Sequence, residues 1–74
     1  EQQQAVIYPN PVQDILNIES KESIKSIEVY NMLGELLASE KGASQMDFSS
    51  YTEGVYFLKI DTEKAAVFQK VVKE

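Results

Sequence analysis

The sequence predicts an all-β fold, a sandwich of about seven short antiparallel strands, in a single domain of 74 residues. Apolar and polar residues alternate with a period of two, as they do on strands that bury one face. The longest apolar runs are rich in β-branched and aromatic residues, which favour strands. Turn-forming residues separate the runs at intervals of roughly 8–12 residues, a spacing typical of sandwiches.

The first two strands are predicted over residues 5–8 and 14–19, on either side of Pro9-Asn10-Pro11. Proline has no N–H and disfavours helical geometry in the residue before it, so it is excluded from a central strand. The tripeptide is therefore predicted to form a bend between the two strands. Within the second strand, Leu16 faces opposite to Ile15, and Asn17 separates it from Ile18.

The third strand is predicted over residues 26–30, where Ile27 and Val29 share one face. The sequence Asn31-Met32-Leu33-Gly34 indicates a type I turn closed by a glycine at positive φ, which is a frequent hairpin connection. The fourth strand, residues 35–39, follows this turn directly.

A helix is the alternative over residues 31–41, because four apolar side chains there have helical spacing. They are Met32, Leu33, Leu36 and Leu37. Gly34 would lie in the middle of that helix, where glycine costs about 1 kcal/mol relative to alanine. We therefore expect a strand rather than a helix.

The fifth and sixth strands are predicted over residues 45–49 and 54–60. Turns at Lys41-Gly42 and Thr52-Glu53-Gly54 precede them. In each strand one set of alternate positions is apolar, and this set is predicted to face the core. The residues concerned are Met46, Phe48, Tyr56, Leu58 and Ile60.

The seventh strand is predicted over residues 66–72, and its phase is ambiguous because both faces carry apolar side chains. One candidate core face contains Phe68 and Val72, and the other contains Val67 and Val71. A strand that is apolar on both faces but interrupted by polar residues is typical of the edge of a sheet.

The composition excludes several kinds of function. Without cysteine or histidine the chain forms no disulfide, no serine–histidine dyad and no zinc site of the usual ligands. Seven lysines, no arginine and twelve carboxylates give a net charge of −5, which argues against nucleic-acid binding. No apolar run approaches the roughly 18–20 residues of a membrane span. We therefore expect a non-catalytic domain without metal or cofactor that neither binds nucleic acid nor inserts into a membrane.

Five motifs follow one another along the chain. They are Tyr8-Pro9-Asn10-Pro11, residues 27–34, Met46-Asp47-Phe48-Ser49, Gly54-Val55-Tyr56-Phe57 and Lys70-Val71-Val72-Lys73. This succession resembles the type A C-terminal sorting domain of the type IX secretion system (Por secretion system) of the Bacteroidota, over residues 6–74. The resemblance implies an immunoglobulin-like antiparallel β-sandwich of seven strands. Residues 5–74 are then the sorting domain, and residues 1–4 are the remnant of a linker.

The resemblance also implies a function. Such domains follow a cargo protein that has reached the periplasm, and they direct it through the outer-membrane secretion translocon. A sortase-like peptidase at the cell surface typically removes the domain, and the cargo is secreted or stays at the surface. The implied partners of this chain are therefore the translocon, the peptidase and a covalently linked upstream cargo, and we expect the domain itself to be monomeric.

Individual residues match the family's motifs. The candidates for translocon recognition are Gly54 and Tyr56 of a Gly-x-Tyr element and Lys70, Val71, Val72 and Lys73 of the C-terminal strand. The residues matched to structural motifs are Pro9, Asn10, Pro11, Asn31 and Gly34. The chain departs from the family by closing on Glu74, where members commonly end in lysine, arginine or glutamine.

These candidates have physical interpretations of their own. An edge strand over residues 70–73 would leave N–H and C=O groups unpaired, and a partner could add a strand to them. Tyr56 also fits a core position whose hydroxyl bonds the backbone, as in the tyrosine corner of sandwiches.

The alternative function is an immunoglobulin-like or fibronectin-like accessory module of a secreted enzyme, which binds carbohydrate or acts as a spacer. Carbohydrate binding of this kind requires an exposed platform of aromatic side chains. Because tryptophan is absent, Tyr8, Tyr30 and Tyr51 would have to be exposed and coplanar.

Overall fold

The computed structural model describes residues 5–74, and this part of the chain forms seven β-strands and no helix. The strands are β1 (Ala5–Tyr8), β2 (Ile15–Ser20), β3 (Ile24–Tyr30), β4 (Leu36–Lys41), β5 (Gln45–Asp47), β6 (Gly54–Thr62) and β7 (Ala66–Lys73). Each of the seven predicted runs overlaps one strand, so the all-β prediction is confirmed. The helix considered over residues 31–41 is wrong, because β4 occupies that segment.

Residues 1–4, which the sequence predicts to be a linker remnant, lie outside the described residues. Within the described part, no helix is long and apolar enough to cross a membrane.

The strands form two sheets with the orders β1-β2-β5 and β4-β3-β6-β7, in which all neighbours are antiparallel. The sheets pack against each other, and their inner faces supply the hydrophobic core. The side chains with no exposed surface are Val12, Leu16, Ile27, Val29, Phe48, Leu58, Ile60 and Val71. Each such side chain stabilises the fold by roughly 1.5–3 kcal/mol when it leaves water, so this shared core holds the two sheets together.

The predicted alternation is confirmed in the central strands. In β6 the residues Tyr56, Leu58 and Ile60 are buried, whereas Phe57 between them is 39% exposed. In β2 Leu16 is fully buried and its neighbour Ile15 is 41% exposed. These strands therefore place one face in the core and the other in solvent.

The structure also settles the phase of β7. Val71 is fully buried and Phe68 is 66% exposed, so the face that contains Val67 and Val71 is the inner one. The strand lies at the end of the four-stranded sheet, as predicted, and pairs with β6 along its whole length. Lys73, on the inner face at the end of the strand, is only 8% exposed.

Candidate recognition surface

The C-terminal strand divides the four predicted contact residues between its two faces. Val71 and Lys73 point inward and are buried, whereas Lys70 is exposed and Val72 is half-buried on the outer face. The Nζ of Lys73 donates a hydrogen bond of 3.1 Å to the main-chain oxygen of Glu74, so the charged end of this buried side chain has a polar partner. Of these four residues, only Lys70 and Val72 therefore present much side-chain surface to a partner.

The outer backbone edge of β7 is already hydrogen-bonded over its last residues. Val12 forms a parallel bridge with Lys73, and the N–H of Val12 donates to the carbonyl of Val72 at 2.8 Å. The N–H of Glu74 donates in turn to the carbonyl of Val12 at 2.9 Å. The short segment that precedes β2 therefore acts as an extra partner beside the end of β7.

Asn10 extends this pairing with its side chain. Its Nδ2 donates to the carbonyl of Lys70 at 3.1 Å, and its Oδ1 accepts from the N–H of Val72 at 3.0 Å. The amide thus bonds to the backbone as a neighbouring strand would. The groups of residues 70–73 that the sequence suggested would be unpaired are instead bonded at Lys70 and Val72, and strand addition here would first have to displace Asn10 and Val12.

The bend at Pro9-Asn10-Pro11 brings Asn10 and Val12 beside β7. The bend between β1 and β2 is confirmed, and the peptide bonds before both prolines are cis. Pro9 and Pro11 are exposed, while Val12 directly after them is fully buried in the core. Neither proline has an N–H to donate, and the segment bonds to β7 through the side chain of Asn10 and the backbone of Val12.

The Gly-x-Tyr element places a buried tyrosine two residues after an exposed glycine. The hydroxyl of Tyr56 donates to the carbonyl of Thr52 at 2.7 Å, which confirms the backbone bond expected from the tyrosine-corner interpretation. Gly54 between them has φ of 150°, which an L-residue rarely adopts. The ring of Tyr56 stacks on the ring of Tyr51, with 5.3 Å between the ring centroids, and meets the ring of Phe48 edge-on, with 5.8 Å between the centroids. With Tyr56 only 7% exposed, its ring is part of the core.

The turn element at residues 31–34 is organised around one asparagine. The N–H of Gly34 donates to the carbonyl of Asn31 at 3.0 Å, and Gly34 has φ of 85°, so the predicted turn with a positive-φ glycine is confirmed. The Oδ1 of Asn31 also accepts from the N–H groups of Leu33 and Glu35, at 2.9 and 3.0 Å. These bonds fix the connection from β3 to β4.

The three tyrosines of the alternative function do not share a surface. Tyr8 lies on the outer face of the three-stranded sheet and Tyr30 on the outer face of the other sheet, while Tyr51 packs against Phe48 at 5.1 Å. A hydrogen bond to Glu19 raises the pKa of Tyr8 above its ordinary value, and the matching bond to Glu28 does the same for the pKa of Tyr30. The coplanar platform that carbohydrate binding requires is therefore not formed by these side chains.

The sequence pattern did not reveal the importance of Val12. This residue is a single apolar side chain after a proline, so no alternation marks it as part of a strand. The same holds for the bond between Asn10 and β7, whose partners lie 60 and 62 residues away in sequence.

Comparison with known proteins gives one family. The family model described as "Secretion system C-terminal sorting domain" matches residues 6–74, which is nearly the whole chain. No curated protein matches the chain significantly.

Proposed function

Because the chain belongs to the family of secretion-system C-terminal sorting domains, we propose that it is a non-catalytic signal that directs an attached cargo through the type IX translocon. The cargo precedes the domain in the chain and reaches the periplasm first. The translocon then carries it across the outer membrane, and a sortase-like peptidase removes the domain. The cargo is thereby secreted or held at the cell surface.

The observation that carries this proposal is the family match over residues 6–74. The structure supports it by giving each matched motif a place in one folded unit. The bend at Pro9-Asn10-Pro11 bonds to the last strand, and the Gly-x-Tyr element anchors the strand beside it. A recognition signal on residues 70–73 would therefore be presented by a fold that holds it in one conformation.

The test is an export assay. Residues 5–74 are fused behind a signal peptide and a fluorescent reporter in a host with an active type IX system, and fluorescence is measured in periplasm, surface and medium. We expect the reporter to leave the periplasm, and the same reporter without residues 5–74 to stay there. Retention of the fusion in the periplasm, while an established sorting domain exports the reporter, would contradict the proposal.

Deletion of residues 70–74 should also block export, but this variant tests two effects at once. It removes the hydrogen-bond partners of Asn10 and Val12 together with the buried side chain of Val71. Circular dichroism of the truncated domain must therefore accompany the assay. Substitutions of exposed side chains separate contact from folding more cleanly than the deletion does.

A further inference from the structure

The four-stranded sheet has an outer face whose side chains are aligned by the strand register. Tyr30 pairs with Phe57, and Phe57 pairs with Lys70. On its other side Tyr30 pairs with Leu36, directly after an irregularity in the register of β3 and β4. In the next row Glu28 pairs with Lys59, and Lys59 with Phe68. We call six of these residues the aromatic–lysine face. They are Tyr30, Leu36, Phe57, Lys59, Phe68 and Lys70.

The aromatic–lysine face exposes three large apolar side chains to solvent. Phe68 is 66% exposed, Leu36 is 53% exposed and Phe57 is 39% exposed. Tyr30 lies between Leu36 and Phe57 in the register, and the two lysines lie beside Phe57 and Phe68, so these apolar side chains occupy neighbouring positions of the sheet. Neighbouring exposed apolar side chains of this kind are typical of surfaces that associate with another molecule.

The charge of the face differs in sign from that of the whole chain. The outward positions of the whole four-stranded sheet, of which this face is a part, carry Lys41, Lys59 and Lys70 against Glu28 and Asp61, whereas the chain has seven lysines and twelve carboxylates. The carboxylate of Glu28 also accepts a hydrogen bond of 2.5 Å from Tyr30. The other residues of the chain carry four lysines against ten carboxylates, so an acidic partner meets less repulsion at this sheet face than over the rest of the domain on average.

Resting on the proposed sorting function, we propose that the aromatic–lysine face binds a protein of the export machinery, through a surface on which carboxylates surround apolar side chains. Lys70 belongs both to this face and to the motif matched to the family. Contact is made through side chains of the sheet face, because Asn10 and Val12 already pair with the backbone beside Lys70 and Val72.

The charge of the partner is tested in the export assay with paired substitutions. Lys59→Glu with Lys70→Glu should reduce export at least about tenfold, because like charges across an interface are strongly unfavourable. Lys59→Arg with Lys70→Arg should retain export. The matched control is Lys21→Glu with Lys64→Glu, which reverses two exposed charges in turns outside the face. This control should export within about twofold of the parent.

The apolar contribution is tested with a second matched pair. Phe68→Ser should reduce export, whereas Val6→Ser, on the outer face of the three-stranded sheet, should not. The two side chains are comparably exposed at 66% and 54%, so neither substitution should unfold the domain. Urea unfolding of each purified variant verifies that the fold persists.

The outcomes separate the two proposals. If the parent domain exports nothing, the sorting function itself is wrong. If the parent exports and the folded face variants export equally well, only the aromatic–lysine face is refuted. The face is also refuted as a partner site if the purified domain dimerises and Phe68→Ser restores the monomer. Binding to anionic lipid vesicles that is lost on reversal of Lys59 and Lys70 would likewise overturn the assignment to a protein.

Discussion

Replacing Asn10 with alanine should loosen the C-terminal strand at a defined place. The substitution removes the 3.1 Å bond to the carbonyl of Lys70 and the 3.0 Å bond from the N–H of Val72. A hydrogen bond in a folded protein contributes about 0.5–1.5 kcal/mol net, so the two together bound the effect at about 1–3 kcal/mol. Because Asn10 is exposed and water can replace its bonds, we expect a loss of about 1–2 kcal/mol.

Urea unfolding followed by circular dichroism measures this loss. In a domain of this size 1 kcal/mol shifts Tm by about 4–8 °C, so thermal unfolding of Asn10→Ala should begin clearly earlier. Gln13→Ala is the matched control, since Gln13 is exposed, lies just beyond the same bend and has no hydrogen bond recorded to another described residue. It should change the free energy of unfolding by less than about 0.5 kcal/mol.

Amide hydrogen exchange locates the effect. In Asn10→Ala the amide of Val72 should exchange faster, because its acceptor is gone. The amide of Glu74 bonds to Val12 and should change less. If Asn10→Ala matches the parent in both its urea midpoint and the exchange of Val72, the side chain does not hold β7 and our account of this edge is wrong.

Three further substitutions test other parts of the domain. Tyr56→Phe should cost about 0.5–1.5 kcal/mol in urea unfolding, because the 2.7 Å bond to the carbonyl of Thr52 is lost. Gly34→Ala should cost about 1 kcal/mol in the same assay, since φ of 85° is unfavourable for a residue with a Cβ. In Glu28→Gln the pKa of Tyr30, followed by NMR at high pH, should fall toward its ordinary value, because the carboxylate that raises it is gone.

Each of these has a control in the same chain. Tyr51→Phe removes a hydroxyl that has no hydrogen bond recorded to a described residue, and it should cost less than Tyr56→Phe. Gly34→Asn should cost less than Gly34→Ala, because asparagine tolerates positive φ. The pKa of Tyr8, raised by Glu19 on the opposite sheet, should be unchanged in Glu28→Gln. Equal effects in a variant and its control would contradict the corresponding cause.

The sequence was most informative where one physical requirement dominated. In β3 and β6 a single face is buried, so Ile27, Val29, Leu58 and Ile60 stand out by alternation alone. The turn at Asn31 is equally predictable, because a positive φ at residue 34 favours glycine and the first position of a type I turn favours asparagine.

Prediction from the sequence failed where the decisive contacts join residues distant in sequence. It also failed where an apolar side chain is exposed or a charged one is buried. The phase of β7 is hidden because Phe68 is apolar and exposed while Lys73 is charged and buried. The apolar run predicts that β4 ends at residue 39, but pairing of Lys41 with Ser26 extends the strand to Lys41. Hydrophobic alternation does not report backbone pairing, so the sequence pattern could not predict this extension.

Motif residues of a sorting signal can act in two ways, and exposure is what separates them. A substitution at Tyr56 or Gly34 changes the core or a turn, so an export defect there reports on folding. Lys70 is exposed, and a defect there in a stable domain reports on contact. Asn10 combines a folding role with a contact role, because its side chain holds the backbone of Lys70, whose own side chain is exposed. If export falls in Asn10→Ala while most of the domain remains folded, the machinery reads the held conformation of β7 as well as its side chains.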